Sequence, residues 1–597
     1  MLEQFYNQIT SINSVVNNIV WGVPMLALMI LTGLFYTFRT KAFQFTHIGE
    51  VFHNTISGIL KNDKNGKKDK HSISPFQALT TALAATIGTG NIAGVATAIV
   101  VGGPGAIFWM WVCALLGMIT HFSEVILGIY FRKKTATGYN GGAMYYLQYG
   151  VGEKMKLKNF GKILAILFAT FTFIASYGIG NMTQVNSIVD AIGTNFSIPS
   201  LPLGIFIAII VAVIIFGGIT RIAQVTEKVV PFMSVFYIII GLIMVITNVN
   251  KIPEVFTSIV TSAFSTKAIA GGTFGYVIKR AMTYGFKRGA FSNEAGLGSS
   301  VMAHAASAEI EPVKQGLWGI FEVFFDTIIV CTFTSLIVLS PTVKVNNFYD
   351  QLNNLTIEQT TVTLADELNE DGTSNIVSTD FHLMPIKLNS LNEAHLLTNL
   401  PQDVQNYMPV YAYGKLYYVE KANEKNSSDG DYFFSNLVTL KLNPIKDNDG
   451  NILLDENNNP LVDQLVVNTI SGVSLVTYAI SSRLSHVAGK LVAIAVMLFA
   501  FSTLLGWSYY GTQTIEYLGG KIATTVYKIF YIVFIIVGST LKLTLAWEIS
   551  DTLNGLMAVP NLIGVLLLSG TTLSIIKNYY ARQKDKKVKA DISYFKK

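Results

Sequence analysis

Charge is what this chain has least of. Only 13% of its 597 residues are Asp, Glu, Lys or Arg, against about 25% in an ordinary soluble domain. The net charge of +6 is small for this length and does not point to nucleic acid. Cysteine is nearly absent. Cys113 and Cys331 both lie in apolar segments without a metal-type neighbour, which excludes a disulfide framework. No His/Cys/Asp metal cluster, nucleophile elbow or nucleotide-binding glycine loop stands out, so neither a membrane enzyme nor a primary pump is supported. His304 reads as a lone, packed histidine. No basic residue precedes the first apolar run, and no small-residue cleavage site follows it, so that run is expected to be a spanning helix rather than a signal peptide.

What is present is apolar surface. Hydrophobic residues make up 51% of the chain, and mean hydropathy is +0.45. A helix needs about 20 apolar residues to cross the hydrocarbon core. On that basis about eleven spans are expected, near 15–37, 76–101, 105–130, 160–192, 203–219, 229–248, 271–306, 314–340, 479–510, 523–545 and 554–577. Basic residues cluster in loop 38–75 (Arg39, Lys41, Lys61, Lys64, Lys67, Lys68, Lys70), in loop 131–162 (Arg132, Lys133, Lys134, Lys154, Lys156, Lys158, Lys162) and in the tail after Lys577. Cytoplasmic loops carry such an excess. Eleven spans then place the N-terminus outside and the C-terminus in the cytoplasm, in a plasma-membrane protein.

Two spans are interrupted. Thr86-Ile-Gly-Thr-Gly-Asn-Ile-Ala-Gly94 puts three glycines and an asparagine at membrane depth. Each glycine costs about 1 kcal/mol relative to alanine in a helix. Close helix packing explains Gly90 and Gly94, four apart. It does not explain Thr86, Thr89 and Asn91. Broken backbone is tolerated in the hydrocarbon region only when packed in protein or lining a cavity, and there freed amides and carbonyls hold substrate and ions. The second interruption, residues 279–298, is too charged for a lipid-facing helix. Glu294 within it is expected to be paired, with Arg288 as one candidate.

Other segments mix glycine with polar groups. Tyr177-Gly-Ile-Gly-Asn-Met-Thr-Gln184 does so on the fourth span, where Gln184 could serve a site or a simple interhelical bond. Hydroxyls flank Trp507 in Phe501–Tyr510, where they could equally bond the preceding turn. Glu322 and Asp326, one helical turn apart, could face a cavity or an ion partner. Gly102-Gly-Pro-Gly105 reads as a tight turn.

Residues 342–470 are different in kind: polar, Asn-rich, with 18 Asp+Glu against 7 Lys+Arg. Alternating pieces at 416–419 and 437–440 suggest strands, and Asp447-Asn-Asp-Gly450 suggests a hairpin turn. Asp447, Asp449 and Asn451 alternate as in a calcium loop, but the later bidentate Glu is missing, and turn chemistry accounts for the run.

The runs ALTTALAATIGTGNIAGVATAI (78–99), GGPGAIFWMW (102–111), RGAFSNEAGLGSSVMAHAA (288–306) and FSTLLGWSYYG (501–511) resemble the alanine or glycine:cation symporters, also called sodium:alanine symporters. The likeness covers most of 76–577 but not the 342–470 insert. It implies the leucine-transporter fold: an all-α integral membrane protein with an inverted five-plus-five repeat and two broken helices, here carrying an extracellular β-rich or mixed insert. The segments would be an extra N-terminal span and cytoplasmic loop (1–75), a core in two parts (76–341 and 471–577), the insert (342–470) and a basic tail (578–597). The implied function is import of a small neutral amino acid, alanine or glycine, coupled to sodium or to a proton in its place. By the same resemblance, amides near Gly88, Thr89 and Gly90 receive the substrate carboxylate, and Gln184, Asn293 and Trp507 border it. The Asn91 side-chain oxygen with carbonyls such as that of Thr86 is implied at one sodium site and the Ile87 carbonyl with the Ser502 and Thr503 hydroxyls at a second; Ser292 is implied as a sodium ligand from the second interrupted helix, beside Asn293. A membrane receptor or channel with a ligand-binding insert is the alternative, and the insert leaves room for an outside partner.

Overall fold

The structure is a computed structural model. It describes residues 2–60, 72–135, 138–264, 274–340, 472–484, 487–540 and 544–595, together with strands between 343 and 469. Among the described residues, seven helices are long and apolar enough to cross a membrane, and a bent pair adds an eighth. Their outer faces carry large apolar side chains that no protein covers. Leu31 is 62% exposed, Phe206 61%, Phe232 62% and Ile522 84%. In water such a belt would drive aggregation; in lipid it is the solvent-matched surface. The chain is a multi-pass membrane protein.

The first interrupted helix begins with a strong start signal. Ser74 Oγ accepts the Gln77 N–H at 3.1 Å while Gln77 Oε1 accepts the Ser74 N–H at 3.0 Å, and Pro75 occupies the first turn, where it lacks only a donor the helix does not use. The helix Pro75–Thr86 then stops. A wide turn over Gly90–Gly94 follows, and Val95–Gly102 continues at an angle of 54°. The predicted turn after it is present: Gly103 has φ +71° and its carbonyl accepts the Ala106 N–H at 3.0 Å.

The second interrupted element runs Phe274–Asn293, a non-helical turn, then Val301–Ala305. The turn uses three left-handed residues: Glu294 (φ +54°), Gly296 (+88°) and Gly298 (+76°). Glycine adopts this without strain. For Glu294 it costs about 1–2 kcal/mol. The residues just before the first interrupted element and just after the second are stitched together, where Ile73 bonds Ala306 O and the Ala308 N–H in a short parallel bridge to Ser307.

Elsewhere the boundaries differ from the sequence reading. The run 15–37 falls within one apolar span, Thr10–Arg39, which has a short break at Trp21–Gly22, just before Pro24, between Leu2–Val20 and Val23–Arg39. The fourth span carries an interruption of its own, a wide turn over Gly178–Met182 between Lys158–Tyr177 and Thr183–Phe196. The runs 479–510 and 523–545 correspond to Ala488–Gly538, which holds one left-handed break at Gly520 (φ +74°). Loop 38–75 contains a helix of its own, Ile48–Leu60. Both cysteines are buried and free.

In the 342–470 region, Lys415–Glu420 pairs antiparallel with Tyr407–Ala412, and Val438–Pro444 with Val462–Thr469. The turn at 447–450 lies outside the described residues. The helices flanking this region, Thr332–Leu339 and Gly472–Leu484, pack against each other.

Candidate functional site

The two interruptions meet. Asn91 leaves the first break fully buried. Its Oδ1 accepts the Gly88 N–H at 3.0 Å, and its Nδ2 donates to Ser292 Oγ at 2.9 Å and to Asp326 Oδ1 at 2.7 Å. Ser292 Oγ and Thr327 Oγ1 both donate to Asp326 Oδ2, at 2.6 and 2.8 Å. Asn293 Nδ2 donates to Thr327 Oγ1 at 3.0 Å, while its Oδ1 accepts the Ala295 N–H. Thr334 Oγ1 donates to the Asn91 carbonyl at 2.7 Å and meets the Tyr237 hydroxyl at 2.7 Å. One buried carboxylate thus gathers both breaks and a third widened stretch, Phe324–Cys331.

Asp326 is the residue that sequence reasoning left outside the site. The sequence marks it, with Glu322, only as able to face a cavity or an ion partner. The signal was an acid in an apolar run, and such residues face a cavity or a partner.

The remaining predicted residues line the same region. Thr89 Oγ1 donates to Gln184 Oε1 at 3.1 Å, and Gln184 Nε2 to the Ile179 carbonyl at 2.8 Å. The third interruption therefore leans on the first. A Cβ at Gly88 would lie 2.5 Å from Thr503 Oγ1, one at Gly90 2.9 Å from the Phe291 ring, and one at Gly180 2.2 Å from Trp507 Cβ. The glycines are thus needed for close approach. Trp507 is buried against Gly180. Tyr531 holds two backbone carbonyls, Gly180 at 2.6 Å and Leu504 at 2.9 Å. Ser502 and Thr503 hydroxyls bond back to the Phe499 carbonyl. Ile87 is buried at the end of the first half-helix. Thr86 Oγ1 is buried with no hydrogen-bond partner among the described residues.

Two pairings differ from expectation. Arg288 does not pair with Glu294; it and Lys287 reach Asp551, each at 3.4 Å. The left-handed turn carries Glu294 the other way, to Ser299 Oγ at 2.5 Å. His304 is not lone either. Its Nε2 bonds Glu322 Oε2 at 2.6 Å, and the same oxygen meets His121 Nε2 at 3.2 Å. His121 lies far away in sequence, on the helix Gly105–Tyr130, so spacing gave no sign of it.

The profile of the sodium:alanine symporter family matches residues 6–380 and 459–593. The chain belongs to that family. It is 36% identical to the sodium/alanine symporter AgcS of Methanococcus maripaludis over 95% of this chain and 97% of that protein. It is 28% identical to the amino-acid carrier protein AlsT of Bacillus subtilis over 98% of this chain and 94% of that one. A solved Na+-coupled sialic acid symporter is 14% identical, covers 97% of this chain and 93% of its own, and has a TM-score of 0.43. The family is one of transporters, not enzymes. The stretch it leaves unmatched, 381–458, falls within the polar region described above.

Proposed function

We propose that this sodium:alanine symporter family member imports alanine or glycine together with sodium by alternating access. The observation that carries the reading is the buried junction of Asn91, Ser292 and Asp326, where two interrupted helices share one carboxylate. A carboxylate, an amide oxygen and hydroxyls are the oxygen donors a hard cation takes. Asp326, Asn91, Ser292 and Thr86 would hold one sodium ion, and the unbonded Thr86 hydroxyl supports that role. The Ile87 carbonyl with Ser502 and Thr503 would hold a second. The Thr89 and Gly90 amides, joined by that of Gly88 when Asn91 Oδ1 turns to the ion, would receive the substrate carboxylate. Gln184 and Asn293 would orient the amino acid, and Trp507 with Phe291 would restrict its side chain. The tight packing of both rings on glycine supports a small substrate, and the Methanococcus maripaludis relative is a sodium/alanine symporter.

The architecture that goes with this reading is two five-helix repeats of opposite topology within about eleven spans. The basic loops face the cytoplasm. The N-terminus and the 342–470 insert lie outside, and the C-terminus lies inside.

The test is uptake of a radiolabelled amino-acid panel into proteoliposomes with and without an inward sodium gradient. Accumulation of alanine or glycine above the outside concentration, only with sodium, is expected. Uptake that stops at equilibrium would mean a channel and sink the proposal.

A further inference from the structure

Beyond the sodium junction lies a second buried polar cluster. His121 and Glu124 come from Gly105–Tyr130, Ser300 and His304 from the second interrupted element, and Gln315 and Glu322 from Pro312–Val323. His121, Glu124, Ser300, His304, Gln315 and Glu322 are all completely buried.

The proton count follows from the partners. His121 Nδ1 faces Glu124 Oε2 at 2.9 Å and its Nε2 faces Glu322 Oε2 at 3.2 Å. A carboxylate oxygen at each ring nitrogen favours two N–H groups on His121, with the Ser300 hydroxyl at 3.2 Å as a further partner of Nε2. His304 is different. Its Nε2 donates to Glu322 Oε2, but its Nδ1 faces the Gln315 NH2 group at 2.8 Å. A donor there requires an unprotonated Nδ1, so His304 is neutral. Two buried oxygens at this spot, Gln315 Oε1 and Glu322 Oε1, have no hydrogen-bond partner among the described residues. Turning the Gln315 amide over would present Oε1 to Nδ1. The two ends of an amide are nearly the same size, so the turn needs no new space.

We propose that this cluster binds one exchangeable proton, taken up at His304 Nδ1 as the Gln315 amide turns over, and that the proton sets how firmly the turn 294–300 is held. The second protonated ring would pair more strongly with Glu322 and weaken that carboxylate's hold on His121. His121 meets Ser300 Oγ at 3.2 Å, and Glu124 holds the Gly296 N–H at 3.3 Å and Asn561. Asn561 in turn bonds the Gly296 carbonyl at 2.8 Å. The change therefore lands on the left-handed turn that follows Ser292 and Asn293.

Tyr36 and Tyr146 lie within electrostatic reach of Glu124, and Arg132 donates to the Ala305 and Ser307 carbonyls just after His304. Glu294 lies within electrostatic reach of His121 and Glu322, Asp326 within reach of Glu322, and Tyr510, on Ala488–Gly538, within reach of Glu294 and Glu322. A metal ion is the competing occupant, because ligand atoms of His121, His304 and Glu322 lie within 4.8 Å of one another. Zinc would need each at about 2.0–2.2 Å. Glu322 Oε2 and His304 Nε2 lie 2.6 Å apart, so an ion would have to open that contact, and metal analysis of the purified protein decides between the two occupants.

The proposal rests on this cluster and not on the choice of substrate or sodium, so the direct test does not use transport. Histidine labelled at the ring carbon is followed by NMR in nanodiscs across roughly pH 5 to 8, with the His304 signal identified by its loss in His304→Asn. His304 is expected to titrate in the wild type. Gln315→Glu places a carboxylate at Nδ1 and should move that titration alkaline by about one pH unit or more; Gln315→Met removes the acceptor and should move it to acid. Sodium-driven uptake against pH should follow in the same directions. A His304 signal that does not titrate in the wild type overturns the proposal, whatever the variants do. So do superimposable curves in the variants, an uptake profile that ignores the shifts, or stoichiometric zinc in the purified protein.

Discussion

Asn91 and Asp326, 235 positions apart, are joined by a 2.7 Å hydrogen bond from the Asn91 side-chain amide to the Asp326 carboxylate. Neither has exposed surface. The bond couples the break in the first interrupted helix to the widened turn Phe324–Cys331, and Ser292 joins both from the second interrupted element.

Removing the charge from this junction should weaken the ion rather than the fold. Asp326→Asn keeps the size and leaves Ser292 and Thr327 an acceptor. Hydrogen bonds to a charged group contribute about 1.5–3 kcal/mol, so sodium should activate uptake at roughly 10–100-fold higher concentration. Asn91→Leu keeps the volume and removes the oxygen, and it should abolish sodium-dependent uptake while the protein still inserts. Sodium activation curves on purified, monodisperse variants decide both. Wild-type sodium dependence in either variant removes that residue from the ion site.

The first interruption is legible because glycine beside Asn and Thr at membrane depth has no place in a lipid-facing helix, and the second because its charge has none either. The turn at Gly103 was legible for the same kind of local reason. Asp326 was not, because its role depends on Asn91 and Ser292 arriving from distant segments. His304 was read as lone because one of its cluster neighbours, His121, sits on another helix. The Glu294–Arg288 pairing failed at a backbone detail: the positive φ at Glu294 turns its side chain towards Ser299 and away from Arg288. Long-range polar partners are set by how the helices pack, and that packing leaves no periodic trace in one chain.

Close approach at Gly88 gives a test that separates packing from ion coupling. A methyl there would meet Thr503 Oγ1 at 2.5 Å, and overpacking costs about 1–3 kcal/mol. Gly88→Ala should lower Tm measurably. Adding Thr503→Ala removes the obstructing hydroxyl and should recover most of the Tm. Sodium coupling should stay impaired in the double variant, because that hydroxyl is proposed as an ion ligand. Recovery of both stability and sodium activation would make Thr503 a packing residue alone.

Trp507→Ala should widen substrate choice. The ring is buried against Gly180, and each methylene of pocket space is worth about 1–3 kcal/mol in discrimination. Competition among alanine, leucine and phenylalanine reads the change. The expected result is a gain for leucine over alanine of roughly 10-fold or more, the lower end of that range. An unchanged ranking assigns Trp507 to packing.

Replacing 345–468 with a short Gly/Ser linker should leave folding and substrate affinity largely intact. Thr332–Leu339 and Gly472–Leu484, on either side of the segment, pack against each other, so a short linker has little distance to span. Loop-closure entropy changes by only about 0.6 kcal/mol per doubling of length, too little for the long connection itself to matter. The family profile passes over 381–458, the larger part of the segment removed, while matching both sides, so the shared core does not depend on that part. The segment is also acidic and polar, with 18 Asp+Glu against 7 Lys+Arg, and it adds little that lipid could bury. Substrate Kd and the initial uptake rate are measured in the purified deletion protein. Values within about threefold of wild type are the expected outcome, a difference below 1 kcal/mol. A loss of affinity of 10-fold or more in a monodisperse deletion protein would instead make the segment part of the substrate pathway, capping its outer entrance.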